Sequence, residues 1–233
     1  KVTVLRIKQL TNVAMPILLA MMSATGAAVG TKVYQPSVAL LSSGITEIIA
    51  NIILPMFIFT VVFSVISNLS KNIRLDKLSD FFKKTSVWIV GISFTVFTGF
   101  LTVQGLTSST IDGVSIRAAK FATKNYIPIL GGYLADGFDL ILASSVLIKN
   151  SLGVVVLILL VITIMAPVLK IVVFNLALSF VTAIVEPIAG DRIVGFLSGV
   201  GKNLTILLVS ILAVAFMLFI LIMLIIFSAN TFV

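Results

Sequence analysis

The chain has no cysteine and no histidine among its 233 residues. The first absence excludes disulfides, thiolate metal sites and cysteine nucleophiles together. The second removes imidazole bases, the commonest zinc ligand and any Ser-His-Asp arrangement. Charge is scarce as well, at 10% of residues, with 16 Lys and Arg against 8 Asp and Glu. A soluble domain carries about a quarter charged residues. What fills the space is apolar: 60% of residues are hydrophobic and the mean hydropathy is +1.27. These proportions identify a polytopic membrane protein. A crossing takes about 20 apolar residues, so the apolar stretches allow roughly six to eight embedded segments.

No Gly-rich loop leads into Lys-Ser/Thr, so the chain has no phosphate cradle with which to use ATP, and nothing in it supports an enzyme. No cofactor is expected. The excess of basic residues is topological rather than a nucleic-acid surface, because Lys and Arg stand beside apolar spans. Lys1 to Leu10 has neither the apolar core nor the small-residue cleavage site of a signal peptide. A chain beginning at Lys1 instead of Met reads as a fragment or a processed product.

The plan is written twice. Pro16 and Pro128 stand 112 residues apart, and so do Pro55 and Pro167. Met15-Pro16-Ile17-Leu18 recurs as Ile127-Pro128-Ile129-Leu130, and Leu54-Pro55-Met56 as Ala166-Pro167-Val168. Further on the offset becomes 115: Asp76-Lys77-Leu78 matches Asp191-Arg192-Ile193, and Phe81-Phe82 matches Phe196-Leu197. Such a period is too long for a solenoid. Duplicated membrane halves with Pro- or Gly-interrupted helices are the usual pattern of transporter-like folds. The expected fold is therefore all-α, with membrane repeats over residues 1–111 and 112–233 and amphipathic helices at the interface. Pro16, Pro55, Pro128, Pro167, Gly131 and Gly132 are the candidate hinges.

Along the first half, residues 2–10 read as an interfacial amphipathic helix. Residues 13–34 are apolar but weakened by Ser23-Ala24-Thr25, Gly26 and Gly30, which permits either close packing or a broken segment. Residues 37–69, interrupted by Pro55, are either one kinked helix or a tight hairpin. Residues 70–84 form a second interfacial helix with Lys71, Arg74, Lys77, Lys83 and Lys84 against Asp76 and Asp80, a net charge of +3. Arg74, Lys77, Lys83 and Lys84 are its candidate partner-contact surface. Residues 87–103 span, and Thr107 to Asp112 make a Ser/Thr-rich linker. The second half follows the same order, with an amphipathic stretch at 114–125, a Gly-broken segment at 127–148, a long run at 152–185, an interfacial segment at 190–201 and a last span at 204–227. Its interfacial counterpart, counted over 186–202, carries no net charge. The positive-inside rule reads that asymmetry as an inverted repeat with residues 70–84 cytoplasmic.

Asp136 and Asp139 are the sharpest chemical signal. Three residues apart, they share one face of a helix, and a charge at membrane depth normally faces a cavity or a partner. They line a polar path or ion site, or else the neighbouring glycines place them in a turn at the headgroups. Ala24 and Ala27 occupy the equivalent positions of the first half, which argues against a symmetric ion site. Glu47 and Lys149 are further candidates for that path or ion site, and Glu47 either pairs with Lys149 or Lys170 or lies near one membrane surface. Lys149 is placed at a segment end, its ammonium reaching the headgroups, and Lys170 supports a turn near Pro167.

The central text resembles a known family. It reads Thr102-Val103-Gln104-Gly105, Asp112-Gly113, Arg117-Ala118-Ala119-Lys120-Phe121 and Asn125-Tyr126-Ile127-Pro128, then Asp136 and Asp139, then Leu147-Ile148-Lys149-Asn150-Ser151-Leu152-Gly153. This is similar to the stage III sporulation protein AE family of endospore-forming bacteria, and to its membrane domain alone. The resemblance implies a multi-pass subunit of the channel-like complex between mother cell and forespore, in the mother-cell membrane surrounding the forespore. It implies as partners the other stage III sporulation operon proteins and, directly or indirectly, stage II sporulation protein Q. It implies no catalytic residues. Three functions compete: a permease-like or channel-like subunit, a platform that anchors ring-forming partners and moves nothing, and an independent ion-coupled transporter.

Overall fold

In the computed structural model, residues 2–69, 74–126 and 131–228 are described, and no strand occurs among them. The helices are α1 (Val2–Ala24), α2 (Ala28–Ala39), α3 (Thr46–Ile48), α4 (Leu54–Leu69), α5 (Asp76–Tyr126), α6 (Gly131–Val185) and α7 (Asp191–Ser228). Two π-helical stretches, Leu40–Ile45 and Ile49–Ile53, join α2 to α3 and α3 to α4 without a turn. Five helical segments are long and apolar enough to cross a membrane: Val2–Ala24, Ala28–Asn68, Asp76–Gln104, Asp136–Val185 and Asp191–Ser228.

Not every proline interrupts its helix. Pro16 lies inside α1 and Pro167 inside α6. Pro55 is the second residue of α4, directly after a π-helical stretch. Proline lacks an N–H and its ring displaces the carbonyl four residues back; the wider π turn gives that carbonyl room. Residues 37–69 are thus one continuous helical run rather than a hairpin. Nor is there a turn beside Lys170, which sits exposed on α6. The expected linker at 107–112 is helical and belongs to α5, and the expected amphipathic stretches 2–10 and 114–125 are parts of α1 and α5. Pro128 and Lys71 lie outside the described residues, and Gly131 and Gly132 open α6.

The break in the first 40 residues comes at Gly26. Its φ of 84° is the left-handed conformation that glycine adopts without a Cβ clash. The Gly26 N–H bonds the Ser23 carbonyl at 3.0 Å and the Ala27 N–H bonds the Met22 carbonyl at 3.3 Å. This pair of bonds is a Schellman motif, and it satisfies carbonyls that the end of α1 would otherwise leave bare. Met22 and Ala27, the apolar pair that accompanies it, are both fully buried.

The chain forms two compact units, one from Lys1–Ile7, Gly44–Thr95 and Val161–Phe216, the other from Lys8–Ser43, Val96–Leu160 and Met217–Val233. In the first, α4 packs on α5. Phe59, Phe63 and Phe82 cluster with centroids 5.7 to 6.1 Å apart. The Ser79 hydroxyl donates to the Thr60 carbonyl at 3.0 Å in a buried position. The α7 backbone lies close to α4 at Gly195 and Gly199: a methyl at either would stand 2.6 Å from Asn68 Oδ1 or Ser64 Oγ. In the second unit the core holds Met15, Leu18 and Met22 of α1, Tyr34 of α2, Phe97 and Leu101 of α5, and Met217, Leu218, Leu221 and Ile225 of α7. Ser37 donates a buried hydrogen bond to Gln104 there.

α6 is the outlier. Its apolar stretch runs 50 residues, about 75 Å at 1.5 Å per residue, against a hydrocarbon core of about 30 Å. Most of its large side chains are exposed. The apolar stretch is longer than a single crossing needs.

Two measurements check this architecture. Gly26→Ala should lower stability by about 1–2 kcal/mol, because alanine is strained at a left-handed φ; detergent-solubilised thermal or denaturant unfolding reads this directly. The chain has no native cysteine, so Asp80→Cys and Gly190→Cys can be labelled singly with a membrane-impermeant maleimide. Labelling from opposite sides is expected of an inverted repeat, and labelling of both from one side would overturn that reading.

Candidate functional site: a polar crevice between α6 and α7

The sequence-predicted residues do not assemble into one site. Asp136 and Asp139 are both exposed on α6, five and eight residues after its start. Glu47 is exposed on α3 in the other compact unit. Lys149 is ten residues beyond Asp139, about 15 Å along the helix axis. Arg74, Lys77 and Lys84 are exposed around the start of α5 and Lys83 is half-buried. Trp88 is 73% exposed and Phe81 59%, as suits an aromatic and basic collar at a membrane surface.

Lys149 departs from its expected role. Its side chain is wholly buried rather than reaching the headgroups. Its ammonium donates to the carbonyl of Ile226 at 2.7 Å. Ile226 lies in the last turn of α7, where carbonyls have no partner within their own helix and carry the negative end of the helix dipole. Gly153, one turn after Lys149, is buried against the Ile226 side chain, and a methyl there would collide with it. Lys149 and Gly153 thus hold one residue of α7, by its carbonyl and by its side chain. No sequence signal points to this bond, since a lysine beside an asparagine in an apolar run reads first as a segment end.

Within the first compact unit α6 carries a polar stripe. Asn175, Ser179, Thr182 and Glu186 follow each other at spacings of four, three and four residues, one face of the helix. Opposite them stand Ser198, Gly201, Lys202 and Thr205 of α7, at spacings of three, one and three. Together with Ala183 and Leu197 these residues line a cavity of about 360 Å³. From Glu186 to Asn175 it follows α6 for about 16 Å, roughly half the hydrocarbon thickness. Glu186 immediately follows α6, whereas Lys202 is eleven residues into α7. The Thr182 hydroxyl returns to its own helix, donating to the Leu178 carbonyl at 2.7 Å. Gly201 leaves space for the Asn175 amide: a methyl would come within 2.9 Å of its Oδ1.

None of the crevice residues was singled out from the sequence. The signal was present in Asn175, Ser179, Thr182 and Glu186, a polar stripe at helical spacing inside an apolar run. Reading the run as lipid-facing bulk hides it. Among the described residues no group of three or more His, Cys, Asp and Glu is placed to hold a metal ion. The crevice instead offers hydroxyl, amide, carboxylate and ammonium groups, which suits hydrogen-bonding of a small polar solute.

Five long apolar helices and a polar crevice among them define a multi-pass helical membrane protein. The chain belongs to the stage III sporulation protein AE family, whose model matches residues 1–229. The stage III sporulation protein AE of Bacillus subtilis (strain 168) is 26% identical over 215 residues, which cover 92% of this chain and 54% of that protein. The chain therefore spans about half the length of this curated relative. No solved structure matches it.

The Lys149 contact can be probed at the end of α7. Lys149→Met should cost about 1–3 kcal/mol, the usual loss when a buried hydrogen-bond partner is removed. It should also raise hydrogen exchange of the amides in the last turns of α7. Lys149→Glu should be worse than Lys149→Met, because a carboxylate would face the negative end of a helix. Unchanged exchange in both variants would dismiss the contact.

Proposed function

We propose that this chain is a non-catalytic, multi-pass membrane subunit of the complex that joins mother cell and engulfed forespore. On this reading it resides in the mother-cell membrane around the forespore and passes small polar solutes along the crevice between α6 and α7. Membership of the stage III sporulation protein AE family supports a role in endospore development. The crevice is the observation that carries the transport reading. Eight of its ten lining residues are other than Ala or Leu, in a helix pair that is otherwise strongly apolar. Polar groups at membrane depth are costly unless they serve a path or a partner.

The partners on this reading are the other proteins of the stage III sporulation operon and, directly or indirectly, stage II sporulation protein Q. The exposed apolar surface of α6, longer than a bilayer needs, supports a subunit over a protein acting alone. Arg74, Lys77, Lys83 and Lys84 would lie at the cytoplasmic surface, in reach of anionic lipid and of partners. Asp136 and Asp139 would stand at the opposite end of α6 from the crevice, as a second polar element of the route. The α6 surface equally favours a second reading, a platform that anchors ring-forming partners and transports nothing.

The two readings separate at Asn175. In an endospore-forming host carrying the full-length gene, Asn175→Leu combined with Ser179→Ala removes polarity from the crevice and leaves the outer surface of α6 untouched. The conduit reading expects late forespore gene expression and spore yield to fall while membrane level and partner co-purification hold. Normal spore yield with normal assembly would leave the platform.

A further inference from the structure

We infer that the α6–α7 crevice binds a small zwitterion, a molecule bearing one carboxylate and one ammonium group, with Lys202 and Glu186 as its charged anchors. The inference rests on the reading of the crevice as a solute site and adds the class of solute. Glu186 and Lys202 line the same cavity from different helices. Both are exposed to it, and no ion pair joins them among the described residues. A cavity with one carboxylate and one ammonium is neutral overall, and so is a zwitterion. An anion or a cation alone would satisfy one anchor and leave the other without a counter-charge. A ligand with both charges compensates both anchors at once, through charge-assisted hydrogen bonds, roughly twice as strong as neutral ones.

The size agrees. A volume of about 360 Å³ lies at the lower end of the range of about 300–1,000 Å³ for small-molecule sites. It admits a compact metabolite rather than a peptide. Asn175, Ser179 and Ser198 supply donors and acceptors for the rest of the molecule. Ala183 and Leu197 supply the apolar wall against which a short side chain would lie.

The test uses the full-length protein in lipid nanodiscs and isothermal titration calorimetry with L-alanine, propionate and propylamine. The three probes share a three-carbon skeleton and differ in their charges. L-alanine should bind at least about tenfold more tightly than either singly charged analogue. Glu186→Gln should weaken L-alanine but not propionate, and Lys202→Gln should weaken L-alanine but not propylamine. Wild-type protein that binds no L-alanine up to about 10 mM, or binds propionate equally well, would overturn the inference without recourse to any variant. No L-alanine binding by the wild-type protein, with impaired sporulation in the Asn175 variant, rejects the zwitterion and keeps the conduit. L-alanine binding with normal sporulation in that variant keeps the zwitterion and rejects the conduit.

Discussion

In hydrocarbon no backbone N–H or carbonyl can be left to water, and the fold is built around that constraint. It accounts for the uninterrupted helices, and for how each exposed helix end is closed. α1 ends in a Schellman motif at Gly26. The last turn of α7 receives the Lys149 ammonium at the Ile226 carbonyl. Side-chain hydroxyls obey the same rule: Thr60, Ser86, Thr95, Ser144, Thr182 and Ser210 each donate to the carbonyl four residues back. An apolar helix carries such residues because the bond is internal.

The same constraint gives the crevice its meaning. Ser, Thr and Asn can be hidden by local bonds, but Glu186 and Lys202 cannot, and they are placed where a cavity opens. α6 is apolar on nearly every face, so hydrophobicity alone does not orient it. Its inward stripe does: Lys149, Gly153, Val156 and Leu160 are the buried positions in one unit. Asn175, Ser179, Thr182 and Glu186 are the cavity positions in the other.

Helix content and membrane residence were legible in the sequence because they depend on composition and on run length. Gly26 was marked as a weak point, and the residue type explains why: only glycine takes that φ freely. Pro16 and Pro167 lie within helices. Pro16, Pro55 and Pro167 signal interrupted helices locally, yet a missing hydrogen bond is tolerated where π turns or neighbouring groups absorb it. The matching Asp76 and Asp191 motifs do share a structural role, since each residue opens a helix, with its carboxylate near the positive end of the dipole. Asp136 and Asp139, charges in an apolar run, are both exposed on α6.

The sequence by itself determined that this is an all-helical membrane protein, because some 60% apolar residues in long runs admit no other solution in lipid. It also determined family membership, through ordered motifs spread over the chain. Only the tertiary structure decided which charged residues meet something. Lys149, expected at a surface, is buried on a carbonyl 77 residues away. Glu186 and Lys202, each unremarkable in its own segment, line one cavity. Their partners lie on other helices, and helical periodicity defines a face without defining what packs against it.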